Sequence, residues 1–313
     1  MYFCQFRSWL FLGLMALSHG VCAQQEPKLN QFMFGDIFYN PGATGSVSAI
    51  STIIASRYQW VNIPGDASPR TSWLSVHSPV QFLKGGVGLV VIQDQEYFNK
   101  SNNVRLNYAF RIPLSYVNVG FGLYGGLIQS SLDGSKFRPE NPNDPLLVGS
   151  NVQATTFDIG AGFNIESTNF FLNIAANHLN KPKLQFNNTG SAISYAMNVF
   201  ASTGYRFRIG QYFQLMPSVL YKTNSSVSQI DGNIRVSVAE RLWIGGGYSQ
   251  GDGILGFLGF RMFKGLRFGY SYTSHMGQIG QITAGTHEAF LSYNLRLSLP
   301  DKPYGKTLTP RYF

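Results

Sequence analysis

Between residues 48 and 297, apolar side chains recur at every second position, and this period of two decides what the chain can fold into. In VRLNYAFR, Val104, Leu106, Tyr108 and Phe110 share one face, and Arg105, Asn107, Ala109 and Arg111 share the other. The stretch 156–166 repeats this, with Phe157, Ile159, Ala161, Phe163 and Ile165 set against Asp158, Gly160, Gly162, Asn164 and Glu166. Past residue 23 no run approaches the roughly 20 apolar residues of a membrane helix, so helical spans are excluded. The pattern instead predicts about 14 strands, an even count, including one over 192–208 and a closing one over 284–297. Tight connections fall at IPLS, ESTN, RIGQ, AERL and MFKG, and longer polar ones at 61–69, 95–101, 132–151, 178–191 and 275–283. Short turns on one side and long loops on the other mark a bacterial outer-membrane barrel.

A soluble β-sandwich alternates too, but its wet faces are usually rich in Lys, Glu and Thr. Here the polar positions carry Gly, Asn and Ser with scattered Arg, and only 12% of residues are charged, as in a confined lumen. Aromatic residues sit near strand ends, as at Tyr58 and Trp60, Tyr97 and Phe98, Tyr212 and Phe213, and Tyr270 and Tyr272, in the manner of interfacial girdles. The expected fold is therefore all-β, an antiparallel transmembrane β-barrel over 48–297 in the lipid bilayer of a Gram-negative outer membrane. A net charge of +9 spread over single basic residues lacks the clustering that nucleic acid requires, so nucleic acid is no expected partner.

The ends add three segments. MYFCQFRSWLFLGLMALSHGVCA has an early Arg7, an apolar middle from Trp9 to Leu17 and small residues at Val21 and Ala23, which predicts a signal peptide over 1–23 cleaved after Ala23. A lipoprotein would acylate Cys22, but HGV lacks the small residue wanted just before that cysteine. Both cysteines, Cys4 and Cys22, fall in this segment, so disulfides and thiolate metal sites are not expected after processing. Residues 24–47 form a periplasmic or lumen-entering lead whose Phe32, Phe34, Phe38 and Tyr39 are too apolar for a free tail; they should pack against or inside the barrel base. Residues 298–313, with three prolines, Lys302, Lys306, Arg311 and an aromatic end, suit a periplasmic tail that docks on a partner or stays untethered.

Eight stretches in order carry a family resemblance: QFMFGDIFYNPGATGS (31–46), RYQW (57–60), LSVHSP (74–79), HLNKP (178–182), PSVLYK (217–222), GYSY (269–272), GTHEAFLSYNL (285–295) and PRYF (310–313). Together they resemble the PorP/SprF family, outer-membrane components of the type IX secretion system in gliding and secreting bacteria. The resemblance covers essentially the whole chain after residue 23. It implies a non-enzymatic barrel that supports export or surface anchoring of a large adhesin-like cargo protein. It also implies partners among the periplasmic and outer-membrane secretion components. Gly42 stands where the family pattern usually has alanine after the proline, and the second aromatic of that turn is missing. A passive porin or small-molecule transporter is the alternative function.

Several spellings imitate chemistry. GFGLYG (120–125) matches a dinucleotide loop, yet alternation runs straight through it and no helix follows, so small lumen-facing residues in a strand explain it better. The loop DGSKFRPENPNDPLL gathers Asp133, Glu140 and Asp144 without calcium-loop spacing, and the five histidines are dispersed, so neither a metal nor another cofactor is expected. GTHEAFLSYNLRL could suggest a hydrolase using His287, Glu288 and Ser292, but alternation sends His287 and Glu288 to opposite faces.

The inward positions collect Arg105, Arg111, Asp158, Glu166, Arg206, Arg208, Asp231, Arg235, Arg261, Arg267, Glu288 and Arg296. They read either as a charge-lined selective pore or as ion pairs that fix register and fill the interior, with Arg267 or Arg261 expected to meet Glu288. The structural lumen charges singled out are Glu288, Arg267, Arg261, Asp231, Arg235, Asp158 and Arg206.

Overall fold

The computed structural model describes residues 26–65, 67–136, 151–186, 192–224, 226–263 and 265–297. The predicted signal peptide with its cleavage point and the 298–313 tail lie outside the described residues. So do Glu140 and Asp144.

Fourteen crossings close into one antiparallel barrel. They are β1 (Ala49–Tyr58), β2 (Arg70–Val80), β3 (Gly85–Glu96), β4 (Asn99–Pro113), β5 (Val117–Leu132), β6 (Val152–Ser167) and β7 (Phe170–Asn177). After a small separate hairpin, β8 (Lys183–Gln185) and β9 (Ala192–Ser194), come β10 (Asn198–Tyr205), β11 (Phe207–Ile209), β12 (Phe213–Thr223), β13 (Ser228–Val238), β14 (Leu242–Ser249), β15 (Gly253–Phe263), β16 (Leu266–His275) and β17 (Thr286–Arg296). β10 and β11 are two halves of one crossing, parted at Arg206. Its backbone N–H leaves the ladder for the Asn169 carbonyl (2.7 Å), and its side chain reaches the Thr168 carbonyl. The barrel closes where β1 meets β17, from Ala49 opposite Arg296 to Tyr58 opposite His287.

The period of two places the faces. Leu106, Leu123 and Ile244 point outward and are 68%, 63% and 62% exposed, an apolar belt suited to lipid, while Arg105, Asn107, Tyr124 and Trp243 beside them face the lumen and are buried. Tyr58, Tyr97, Phe98, Tyr212, Phe213 and Tyr272 of the predicted girdle are exposed.

Two connections differ from the sequence reading. The predicted loop 95–101 shrinks to the two-residue turn Tyr97–Phe98, because β3 and β4 stay paired out to Glu96 opposite Asn99. Out there both faces are polar, so hydropathy stops alternating although the hydrogen-bond ladder continues. The predicted strand 192–208 does not begin in the wall. Its first residues form β9, which pairs with β8 and folds into the barrel mouth, where Leu184 and Phe186 pack on Ile128, Leu132 and Ala154. Alternation cannot tell a wall strand from a hairpin strand with one buried face.

Residues 26–47 run through the barrel from the long-loop mouth to the short-turn mouth, where Ser48 leads into β1. Phe32, Met33, Phe34, Ile37, Phe38 and Tyr39 are buried against Trp73, Phe200, Trp243 and Phe290 of the wall. Phe34 lies 5.2 Å from both Trp243 and Phe290, and Phe38 lies 5.3 Å from Trp73. Further down the segment turns at Pro41–Ala43, with Asn40 Oδ1 accepting from the Gly42 amide (2.8 Å). This turn lies backbone to backbone on glycines of the wall: Gly120 and Gly122 of β5, Gly162 of β6 and, beneath Gly45, Gly86 of β3. The GFGLYG spelling thus supplies half of a floor on which the PGATG turn rests.

A Cβ at residue 122 would fall inside the backbone of Pro41 and Gly42, whereas one at residue 256 would meet nothing within 4 Å. Gly122→Val is therefore expected to lower stability by about 2 kcal/mol and Gly256→Ala to leave it unchanged. Thermal unfolding of the purified proteins in detergent measures both.

Candidate functional site

The segment inside the barrel belongs to no sheet, so its backbone polar groups need partners from the wall. Glu288 on β17 supplies the main one, its two oxygens accepting from the amides of Asn30 (2.9 Å) and Gln31 (3.3 Å). Arg57 on β1 lies 3.6 Å from the same carboxylate and donates to Asn30 Oδ1 at 2.6 Å. The Asn30 side chain donates to Ser271 and Thr273 (both 3.0 Å), and its carbonyl accepts from Asn233 (2.9 Å). Asn30 is thereby held by four strands. Lower down, the Gly45 amide donates to His77 Nδ1 (3.0 Å), and Asn40 donates to Asn173 Oδ1 (2.8 Å) and the Phe163 carbonyl (2.9 Å).

At the long-loop mouth two ion clusters grip the beginning of the segment. Lys28 contacts Asp231 (3.0 Å), Asp252 (2.7 Å) and the Ser249 hydroxyl. Glu26 pairs with Arg105, which also lies 3.9 Å from Asp158; Asp158 in turn binds His178 (2.9 Å) and the Tyr124 hydroxyl (3.0 Å). Asp252 sits in the turn beyond β14. Burial raises its carboxyl, but Lys28 and Arg57 outweigh burial and hold it below its ordinary value.

Of the lumen charges predicted from sequence, Asp158, Arg206, Asp231, Arg235, Arg267 and Glu288 are buried and Arg261 is half-exposed beside a bulge in β15. The expected partners of Glu288 are corrected: Arg57 meets it, and Arg267 instead donates to Ser292 (3.1 Å). Arg208 and Arg296 face solvent because both lie at the short-turn rim, Arg208 next to the end of β11 and Arg296 at the end of β17. Arg235 donates to Met216 Sδ (2.9 Å) and lies 4.9 Å from the centre of the Phe34 ring, a cation–π contact with the segment. His287 is on the outer face, 2.6 Å from the Tyr270 hydroxyl and away from Ser292. Sequence reasoning missed Glu26, Lys28, Arg57, His178 and Asp252. A lone charge next to an aromatic run, as in EPKLNQF, signals a buried segment only once its pairing strand is known.

Among the described residues no group of three or more His, Cys, Asp or Glu could hold a metal ion. The site is a plug: polar groups from both halves of the wall converge on one segment that fills the lumen. The profile of the family described as "Type IX secretion system membrane protein PorP/SprF" matches residues 21–293. The chain belongs to the PorP/SprF family.

As a PorP/SprF barrel it is an outer-membrane protein, and solved barrels share its architecture. The toluene transporter TbuX of Ralstonia pickettii superposes with a TM-score of 0.51 at 10% identity, over 86% of this chain and 94% of that one. A mutant of the monoaromatic hydrocarbon channel TodX gives 0.50 at 9% identity, over 86% and 94%. At such identities the likeness shows the fold alone. No curated protein matches the sequence.

Glu288→Gln removes the charge opposite buried Arg57 and is expected to cost about 3 kcal/mol, while combining it with Arg57→Met recovers much of it, because no unpaired charge then remains and the new side-chain oxygen still accepts from a segment amide. Unfolding in detergent tests this double-mutant cycle. Acidification gives a second test: the Lys28–Asp252 contribution is fully present above about pH 4 and is lost as pH falls through the depressed Asp252 value. Protease sensitivity at the start of the segment should therefore rise only below that pH, and Asp252→Asn should remove the pH dependence.

Proposed function

We propose that this PorP/SprF barrel is a non-enzymatic, non-conducting scaffold of type IX secretion, supporting export or surface anchoring of a large adhesin-like protein. The observation that carries this reading is the lumen, filled by residues 26–47 and capped at the long-loop mouth by the β8–β9 hairpin. A filled barrel has no use for its interior as a path, so what it offers other molecules is its two mouths. Family membership supports partners among the secretion components. In outer-membrane barrels the short turns face the periplasm. That orientation sets the turns from Val80 to Gly85 and from Val238 to Leu242 toward the periplasmic machinery. It sets the loops from Tyr58 to Arg70 and from His275 to Thr286 toward the cell surface.

The porin alternative needs an open, water-filled path, and the aromatic and ionic contacts of the plug argue against one. The neighbouring barrels named for toluene or monoaromatic hydrocarbons share only the fold with this chain.

The chain has no cysteine after Cys22, so single cysteines report orientation cleanly. On intact cells a membrane-impermeant maleimide is expected to label Met276→Cys and not Phe82→Cys; the opposite result inverts the topology. In planar bilayers the full-length protein is expected to be silent, and deletion of residues 26–44 to open a steady conductance. Deleting the gene should remove one large exported protein from the cell surface, and an unchanged surface proteome would overturn the scaffold reading.

A further inference from the structure

A cleft of about 60 Å³ opens beside the plug at the long-loop mouth. Its wall is the outward extension of β3 and β4, where register pairs Ile92 with Asn103, Asp94 with Ser101 and Glu96 with Asn99. Its base is the Glu26–Arg105 ion pair, and Tyr195 and Asn198 close the far side. Three carboxylates, Glu26, Asp94 and Glu96, face this space against the single guanidinium of Arg105, with His178 already bound to Asp158.

Acceptors in excess of donors make the cleft selective. Thr71 donates to one oxygen of Asp94 (2.5 Å), which leaves the other open to the cleft. The Glu96 carboxylate has no hydrogen bond or ion pair with the side chain of a described residue. Deeper in, Asn103 is only 8% exposed, yet its side-chain oxygen has no hydrogen-bond partner among the described residues. A buried acceptor without a donor is costly to leave so, and a ligand that donates would relieve it. Beside these acceptors lies the Tyr195 ring, and a tyrosine face attracts cations. The complement of two open carboxylates, an unsatisfied amide oxygen and a phenol ring is a group that carries positive charge and only donates. On a protein, that is the end of a lysine or arginine side chain.

We propose that this cleft is a docking site for a basic side chain of an exported protein at the barrel's outer mouth. The proposal rests on the scaffold reading above for the source of the side chain, and on the cleft alone for its chemistry. The occupied cleft would place a lysine ammonium between Asp94 and Glu96, above the Ile92–Asn103 pair. The bound chain would then lie across the start of the plug, next to the Glu26 and Lys28 ion clusters.

The purified, detergent-solubilised protein is titrated calorimetrically with acetyl-Gly-Lys-Gly-amide and with acetyl-Gly-Gln-Gly-amide. The lysine peptide is expected to bind at least tenfold more tightly than the glutamine peptide. Asp94→Asn with Glu96→Gln should abolish that preference, and so should Ser101→Lys, which sets a tethered ammonium in the cleft. Heat-modifiable electrophoretic mobility verifies that both variants are folded barrels. Equal binding of the two peptides, no binding of the lysine peptide, or a preference that survives in both folded variants overturns the proposal. In cells, loss of the exported protein from the surface in the Asp94→Asn, Glu96→Gln strain supports it. If gene deletion strips that protein from the surface while the double variant retains it, the docking site fails and the scaffold stands. If deletion changes nothing at the surface, the scaffold fails, and the docking proposal falls with it as a site for exported protein, whatever the peptides do.

Discussion

A peptide segment that crosses the inside of a barrel has no neighbouring strand to bond with, and every amide and carbonyl it carries must be met by a side chain or by its own short turns. The lumen of this protein is organised around that requirement. Glu288 takes two consecutive amides, Asn233 gives to a carbonyl, His77 receives the Gly45 amide and Asn40 caps its own turn while reaching two strands. Arg57 joins the same contacts, donating to Asn30 Oδ1 and facing the Glu288 carboxylate. The asparagines, serines and arginines along the inner face are therefore the complement of one particular backbone path. A water-filled channel would place no such demand on them.

Packing reinforces this path in two ways along its length. In the middle, aromatic rings from the segment and the wall fill the space between strands, with Phe34 seated against Trp243 and Phe290 and Phe38 against Trp73. Near the short-turn mouth the wall instead recedes, with glycines on β3, β5 and β6 letting the PGATG turn sit against bare backbone. The taper from large to absent side chains follows the shape of what is enclosed.

Much of this fold was legible because the lipid-facing half of every strand announces itself. Leu106, Leu123 and their like alternate whatever the interior holds, so the class, the strand number and the seam between β1 and β17 could be read directly. Legibility failed where the chain leaves the bilayer. The outer ends of β3 and β4 are polar on both faces, and β9 alternates because its half-buried Ile193 packs on the Leu184 and Phe186 cluster and not because it faces lipid. Lumen charges were readable as inward, but their partners were not. Pairing across a barrel depends on which strands face each other through the interior and on the segment between them. Sequence order points from Glu288 to Arg267 or Arg261 on the two preceding strands, because nearness along the sheet is all that it offers. The actual partner, Arg57, lies on the opposite neighbour, across the seam. Family resemblance reached further than physics here, since it covered the plug, the seam and the mouths at once.

The plug joins β1 covalently at Ser48 at one mouth and is clamped by Lys28 and Glu26 at the other. Its consequence is mechanical. A hollow barrel passes load between its ends only through the hydrogen-bonded wall, whereas here a continuous covalent chain spans the interior like a tie rod, anchored in buried ion pairs at the top and in the first strand at the bottom. Force applied to the turn that carries Asp252 reaches the opposite end of the barrel along a backbone as well as through the sheet.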